Sequence, residues 1–359
     1  MIPIYKPFLE GNEKKYINEC IDSTWISSQG RFLNDFETAI KNYVGCNYAS
    51  SCSNGTTALD LAFKAIDLKK GDEVITTSFT YVASTNSILI NNGTPVFIDI
   101  EMKSWNIDTI SIENKITNKT KAILISNNYG YLPDITKLID LCNKYGLYLI
   151  EDAAESFGAS FGNIKSGRLG FISTFSFFGN KTITTGEGGM VLTDNKEIHE
   201  KIEKLKNQGN NNSIRYYHDI LGYNYRMTNI QAAIGLAQVE QVDLILKKKR
   251  YIYEFYYKHL KDVVIFQEPI NENVKPSYWI IAVLFKSEEQ KDNVTKAFLQ
   301  NDIEFRPLFN PVDEFDFYKK NDSLIRTRSL FKNGICLPSF PALKNNELLK
   351  ICNTIIKNI

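Results

Sequence analysis

The strongest constraint in this chain is an alternation of short apolar runs with helical periods between about residues 50 and 195. Strand-like runs fall at 73–77 (EVITT), 95–98 (PVFI), 122–126 (AILIS), 147–151 (LYLIE), 174–178 (TFSFF) and 190–193 (MVLT). Helical patterns separate several of them, as at 56–68 and 132–145. In the first, Leu59, Ala62, Ala65 and Ile66 recur at spacings of three and four, so they share one helix face. Strands that alternate with helices predict an α/β architecture, a doubly wound and largely parallel sheet flanked by helices.

A long helical tract from about 229 to 257 follows. The rest, from about 260, mixes strand-like runs (262–266, 279–285) with helical ones (290–300, 346–356). It reads as a small α+β domain. The 359 residues suit two domains, and the expected division is 1–240 for the large one and 241–359 for the small one. The Asn-rich stretch 207–212 reads as a loop.

Charge and composition narrow the function. The net charge of +1 offers no field for nucleic acid or an anionic membrane. The run Lys247, Lys248, Lys249 and Arg250 reads as a solvated helix face. The start, MIPIYKPFLEGNEKK, has no apolar core of a signal peptide, and no apolar stretch is long enough to span a bilayer. The six cysteines are scattered without a CxxC pair, which suits free thiols in a reducing cytoplasm. The three histidines lie far apart in sequence and suggest no metal set. No G-x-G-x-x-G follows the first strand, so a dinucleotide-binding oxidoreductase is disfavoured.

Four segments carry chemistry. Ser53-Asn54-Gly55-Thr56-Thr57 stands directly before a helix. Free N–H groups and the positive end of the dipole make such a start a phosphate site, although the same residues are ordinary N-caps. Glu151-Asp152-Ala153-Ala154-Glu155 closes a buried strand, at the edge where open α/β sheets bind ligands. A carboxylate there can pair with the protonated ring nitrogen of pyridoxal phosphate (PLP), or simply cap a helix. The third segment, 173–190 (STFSFFGNKTITTGEGGM), holds Lys181 in a Gly- and Thr-rich loop, with Ser176 five residues earlier. A lysine partly shielded from water can act as a nucleophile; an ordinary hairpin with a surface lysine is the plainer alternative. The fourth, 222–228 (GYNYRMT), combines an amide, an arginine and two tyrosines before the long helix. In this order, a phosphate site, an aspartate and then a lysine 29 residues later fit one cofactor lying across the strand ends.

At these residues the chain resembles the DegT/StrS-type sugar aminotransferases, PLP enzymes of the aspartate-aminotransferase fold. The likeness runs through TWISSQGRF, SNGTTAL, TSFTYVASTNSI, EDAAESFGA, FSFFGNKTITTGEGGM, GYNYRMTNIQAAIGLAQ and RPLFNP, and so covers nearly the whole chain. It implies a large domain with a mixed, mostly parallel sheet. It implies that Lys181 bonds the aldehyde carbon of PLP, that Asp152 binds the pyridine nitrogen, and that Tyr81 stacks on the ring. By the same resemblance Gly55, Thr56 and Ser176 hold the phosphate, Asn224 reaches over from the neighbouring subunit of a homodimer, and Glu155 sits near the cofactor edge. Trp25, Ser27 and Arg306 would line the sugar-nucleotide side. Asp313 stands where relatives often have His, and is expected among the substrate contacts. TWISSQGRF, FSFFGNKTITTGEGGM and IEFRPLFNP are most similar to members that aminate C4 of GDP-4-keto-6-deoxymannose with L-glutamate as donor. Amination of a UDP- or dTDP-linked sugar, or at C3, is the alternative within the family. A non-catalytic regulator on the same fold is the alternative outside it, against which intact Lys181 and Asp152 argue.

Overall fold

The computed structural model describes residues 1–211, 213–321 and 323–359. Asn212, the last residue of the expected Asn-rich loop, lies outside the described residues. The chain opens with helices α1 (Glu13–Asp22) and α2 (Arg31–Val44), and then enters the large sheet. The seven strands are β1 (Tyr48–Cys52), β2 (Glu73–Thr77), β3 (Thr94–Ile98), β4 (Thr120–Ser126), β5 (Tyr148–Asp152), β8 (Ile172–Ser176) and β9 (Gly189–Thr193). Their spatial order is β1-β9-β8-β5-β4-β2-β3. The pairs β2–β3, β2–β4, β4–β5 and β5–β8 are parallel. Strand β9 runs antiparallel to both its neighbours. Crossovers through α4 (Val82–Ile90) and α5 (Ile135–Tyr145) join the parallel pairs β2–β3 and β4–β5, while α3 (Gly55–Ala65) carries the chain from β1 at the sheet's edge to β2. Between β8 and β9 there is only a loop, so the chain returns antiparallel. That loop contains Lys181.

This topology places the carboxyl ends of β1, β2, β4, β5 and β8 along one edge. The residues that follow them, Ser53 to Gly55, Ser78 to Tyr81, Asn127, Ala153 to Glu155 and Phe177 to Lys181, therefore share a rim. The central strands are buried; Ala122, Ile123, Leu124, Ile125 and Ile150 are fully enclosed, as expected for a sheet covered on both faces. Short strands β6 (Ser160–Phe161), β7 (Ile164–Lys165) and β11 (Val274–Lys275) form a small sheet of their own.

After α6 (Lys196–Lys206), the long helical tract is two helices, α7 (Asn229–Glu240) and α8 (Val242–Leu260). The break is at Gln241, whose φ of −103° and ψ of 2° leave the helical region. The second sheet is antiparallel, in the order β10 (Ile265–Phe266), β12 (Ile281–Leu284), β14 (Gly334–Leu337), β13 (Arg306–Pro307). It packs with α8, α9 (Glu288–Gln300) and α11 (Asn345–Ile356) round a core that includes Leu260, Val283, Phe298 and Leu348. Ile2 joins this C-terminal core, and Tyr5 packs against it, so the N-terminal residues are tied to the far end of the chain.

A polar clasp links the two sheets. Asp313 is buried, and its carboxylate accepts from Arg328 at 2.8 Å, from the Asn321 backbone N–H at 3.0 Å and from the Ser78 hydroxyl. Arg328 lies on α10 (Ile325–Asn333), and Ser78 directly follows β2. Without Asp313, Arg328 would keep Glu314 at 2.7 Å, but the buried Ser78 hydroxyl and the Asn321 N–H would lose their acceptor, at about 1–3 kcal/mol. Asp313→Ala should therefore lose about 1–3 kcal/mol of unfolding free energy in chemical denaturation. A loss under about 1 kcal/mol would show that the clasp contributes little.

Candidate active site

The shared rim encloses a cavity of about 790 Å³. Its walls include Gly55, Thr56, Tyr81, Asp152, Glu155, Ser176, Lys181 and Arg306. Eight positions expected from sequence to serve the site thus meet in one space.

The phosphate end is the start of α3. The Asn54 side chain accepts from the Thr57 N–H at 2.9 Å, and the Thr57 hydroxyl accepts from the Asn54 N–H at 3.2 Å. This cap consumes the outer donors. The N–H groups of Gly55 and Thr56 have no acceptor among the described residues, and both residues face the cavity. A Cβ at position 55 would come within 2.7 Å of the Ser176 Cβ, so glycine is required for the helix start to approach β8 this closely. Donors, dipole and Ser176 together suit a phosphate dianion.

Asp152 ends β5 and is buried. Burial pushes its carboxyl pKa up; donation from the Ser84 hydroxyl (2.6 Å) and the Ala154 N–H (3.1 Å) opposes that. A cationic N–H is the partner that such a carboxylate lacks. Its neighbour Glu151 points away and is saturated, with Ser173, Ser166, Asn127 and two backbone N–H groups on its oxygens. Strand alternation thus divides this acidic pair into one structural and one cavity-facing carboxylate.

Lys181 projects from the β8–β9 loop with its Nζ 3.6 Å from Glu155 Oε1 and 4.2 Å from the centre of the Trp279 ring. The loop is held by backbone bonds from Lys181 to Phe178 and from Thr185 to Phe177, both 2.9 Å. The Tyr5 hydroxyl donates to the Lys181 carbonyl at 2.6 Å. Glu155 receives the Tyr129 N–H on its other oxygen at 2.8 Å. Burial pushes the Glu155 carboxyl pKa up to about 7, with the Lys181 charge opposing.

An amine, a buried carboxylate at the right edge of the sheet and a helix start with two free N–H groups are the three contacts that PLP needs: for its aldehyde, its ring nitrogen and its phosphate. The residues present fit that group.

Other expected residues lie elsewhere in the single chain. Trp25 and Ser27 are exposed, and their carbonyls accept from Asn229. Asn224 is exposed and accepts from Arg226 at 3.0 Å. None of the three lines the cavity. Asp313 does not line it either, because its carboxylate is turned inward to Arg328 and Ser78; the expectation of a direct substrate contact is corrected to a structural one. Sequence reasoning missed Ser84, Trp279 and Phe309, which do line it. A serine one helix turn past Tyr81 gives no signal of its own, and Trp279 sits inside a run that reads as ordinary strand.

Residues 7–356 match the model of the DegT/DnrJ/EryC1/StrS aminotransferase family. The GDP-perosamine synthase of Vibrio cholerae is 44% identical over 360 residues, covering 99% of this chain and 98% of its own length. The GDP-perosamine synthase of Escherichia coli is 43% identical over 355 residues, covering 99% and 97%. Among solved structures, the Helicobacter pylori aminotransferase PseC, involved in the biosynthesis of pseudoaminic acid, superposes with a TM-score of 0.93 at 26% identity, covering 99% of this chain and 98% of its own. With a full-length family match and a cavity built for the family's cofactor, this chain belongs to the DegT/DnrJ/EryC1/StrS aminotransferases and is a PLP-dependent enzyme.

Proposed function

We propose that the enzyme moves an amino group from L-glutamate to C4 of GDP-4-keto-6-deoxy-D-mannose, giving GDP-perosamine for a surface polysaccharide. The observation that carries the reaction type is the meeting of Lys181, Asp152 and the α3 N–H groups in one cavity. The substrate reading is supported by the likeness, at 40–44% identity over nearly the whole chain, to three proteins named GDP-perosamine synthase.

When bound, PLP supplies an aldehyde that links covalently to amines and a ring that spreads the electron pair of a broken C–H bond. Asp152, kept ready by Ser84 and the Ala154 N–H, holds the proton on the ring nitrogen. The Gly55 and Thr56 N–H groups and Ser176 hold the phosphate, and Tyr81 covers a face of the ring. Lys181 would carry on its Nζ the proton taken from Cα of L-glutamate. In the second half-reaction the same amine delivers a proton to C4 of the sugar. Glu155 serves as the partner of the Lys181 ammonium between these events. Arg306, which makes no side-chain hydrogen bond to another described residue, faces the cavity as a cation for an anionic substrate.

The proposed assembly is a cytoplasmic homodimer, with residues 1–240 bearing the cofactor and 241–359 forming the smaller unit. Asn224, Trp25 and Ser27 would then serve the partner's cavity. An active species with single-chain mass in light scattering would contradict this assembly. Among the described residues no helix is long and apolar enough to cross a membrane.

Two outcomes test the reading. Protein loaded with PLP should show a visible band that L-glutamate alone bleaches and GDP-4-keto-6-deoxymannose restores; a band restored only by a UDP- or dTDP-linked ketosugar would reassign the substrate. The second concerns Glu155. Its carboxyl holds a proton in the folded state up to about pH 7, but only to about 4.3 when unfolded. The folded state therefore binds more protons in that window, and stability falls as pH rises through it. Glu155→Gln removes this loss, so the thermal midpoint of the apoprotein variant, relative to wild type, should rise between about pH 5 and about pH 7.5. A constant gap would mean that Glu155 does not titrate there.

A further inference from the structure

The reactive amine is not held by the large sheet alone. Trp279 belongs to the segment that leads into β12 of the second sheet, and it is buried. Its indole N–H donates to the Asn180 carbonyl at 2.7 Å, while its ring lies under the Lys181 Nζ at 4.2 Å. One side chain thus holds both the backbone next to the lysine and the charged end of the lysine itself.

Trp279 is immobilised in turn. Its carbonyl accepts at 2.8 Å from the Nζ of Lys249, which is buried and not on the solvated face expected of its basic run, and which also donates to the Ser339 carbonyl at 2.9 Å. Tyr278 just before it has a φ of 54°, a left-handed conformation that a bulky residue keeps only where its surroundings impose it. The Trp279 and Tyr129 rings lie at 7° with centroids 6.4 Å apart, and Tyr129 stacks on Phe309 at 12° and 5.1 Å. Tyr129 also donates its N–H to Glu155. The ring and the carboxylate that flank the amine are therefore parts of one packed unit.

We propose that Trp279 is a positioning residue for Lys181: its ring face stabilises the ammonium when the amine is free, and its N–H keeps the loop from turning the amine out of the cavity. The charged groups that act on the amine are Glu155 at 3.6 Å and Asp152 behind it, with Arg306 on the same cavity wall. Lys249 lies behind Trp279. None of these is removed when Trp279 is replaced. Bonding between Nζ and an aldehyde carbon requires the neutral amine and expels one water, so a ring that favours the ammonium pushes capture toward higher pH.

This proposal rests on Lys181 being the amine that bears the cofactor. The test times growth of the visible band when apoprotein is mixed with PLP, between about pH 6 and about pH 10. Trp279→Leu should move the midpoint of the capture rate down by about 0.5–1.5 pH units. Trp279→Phe, which keeps a ring face and loses only the N–H, should keep the wild-type midpoint but capture PLP more slowly, because the loop is no longer tied at Asn180. Trp279→Met supplies a second ringless side chain, which should move with Trp279→Leu if that variant is poorly soluble. An unmoved midpoint in the ringless variants, or an equal shift in Trp279→Phe, overturns the role of Trp279. Wild-type protein that never forms the band overturns the assignment of Lys181, and this proposal with it.

Discussion

The structure turns on the placement of one amine. Lys181 sits in the connection that joins β8 to the antiparallel strand β9, and so its loop stays at the rim instead of crossing the sheet. A lysine in a crossover helix would be carried away from the strand ends. Here the loop is held from both sides, by its own backbone bonds and by Tyr5 and Trp279. Its amine then meets Glu155, and beyond it Asp152, with little of the Lys181 and Glu155 side chains left exposed. The remaining features of the site are consequences of where β1 and β5 end: one delivers a helix start with two free N–H groups, the other a buried carboxylate.

Polarity within the cavity is divided by function. Asp152 carries two donors and lacks a cation, which suits a protonated ring nitrogen. Glu155 has one backbone donor and the lysine. Glu151 has every lone pair occupied and contributes to the fold instead. Three carboxylates within five residues thus differ in what surrounds them, and their chemistry differs accordingly.

Much of this was legible in the sequence, because it depends on local patterns. The strands at 73–77, 122–126 and 190–193 announce themselves through apolar runs, and the α3 cap through Asn54 and Thr57. The order of phosphate site, aspartate and lysine survives folding because all three follow strands that end on one rim. What was not legible depends on distant segments. Strand β1 (YASSC) is small and polar, and its Ser51 N–H and hydroxyl donate to the Glu37 carboxylate, a distant contact that no period reveals. The strand expected to reach Phe178 ends at Ser176: the Phe177 N–H still donates in register to Gly188, but the Phe177 and Phe178 carbonyls are taken by Thr185 and Lys181 as the chain turns. The helical tract from 229 breaks at Gln241 without a Gly or Pro to mark it. Asp313 looked like a substrate contact from its place after RPLFNP, yet Arg328, fifteen residues on, turns it inward. Trp279 became visible only when the second sheet brought it beneath Lys181.

Borohydride reduction of the PLP-loaded enzyme, followed by peptide mapping, locates the lysine that bears the cofactor. The cofactor's mass should be fixed on one peptide, the one containing Lys181, and Lys181→Ala should yield none. Label on another lysine, such as the buried Lys249, or an unlabelled wild-type protein would contradict it.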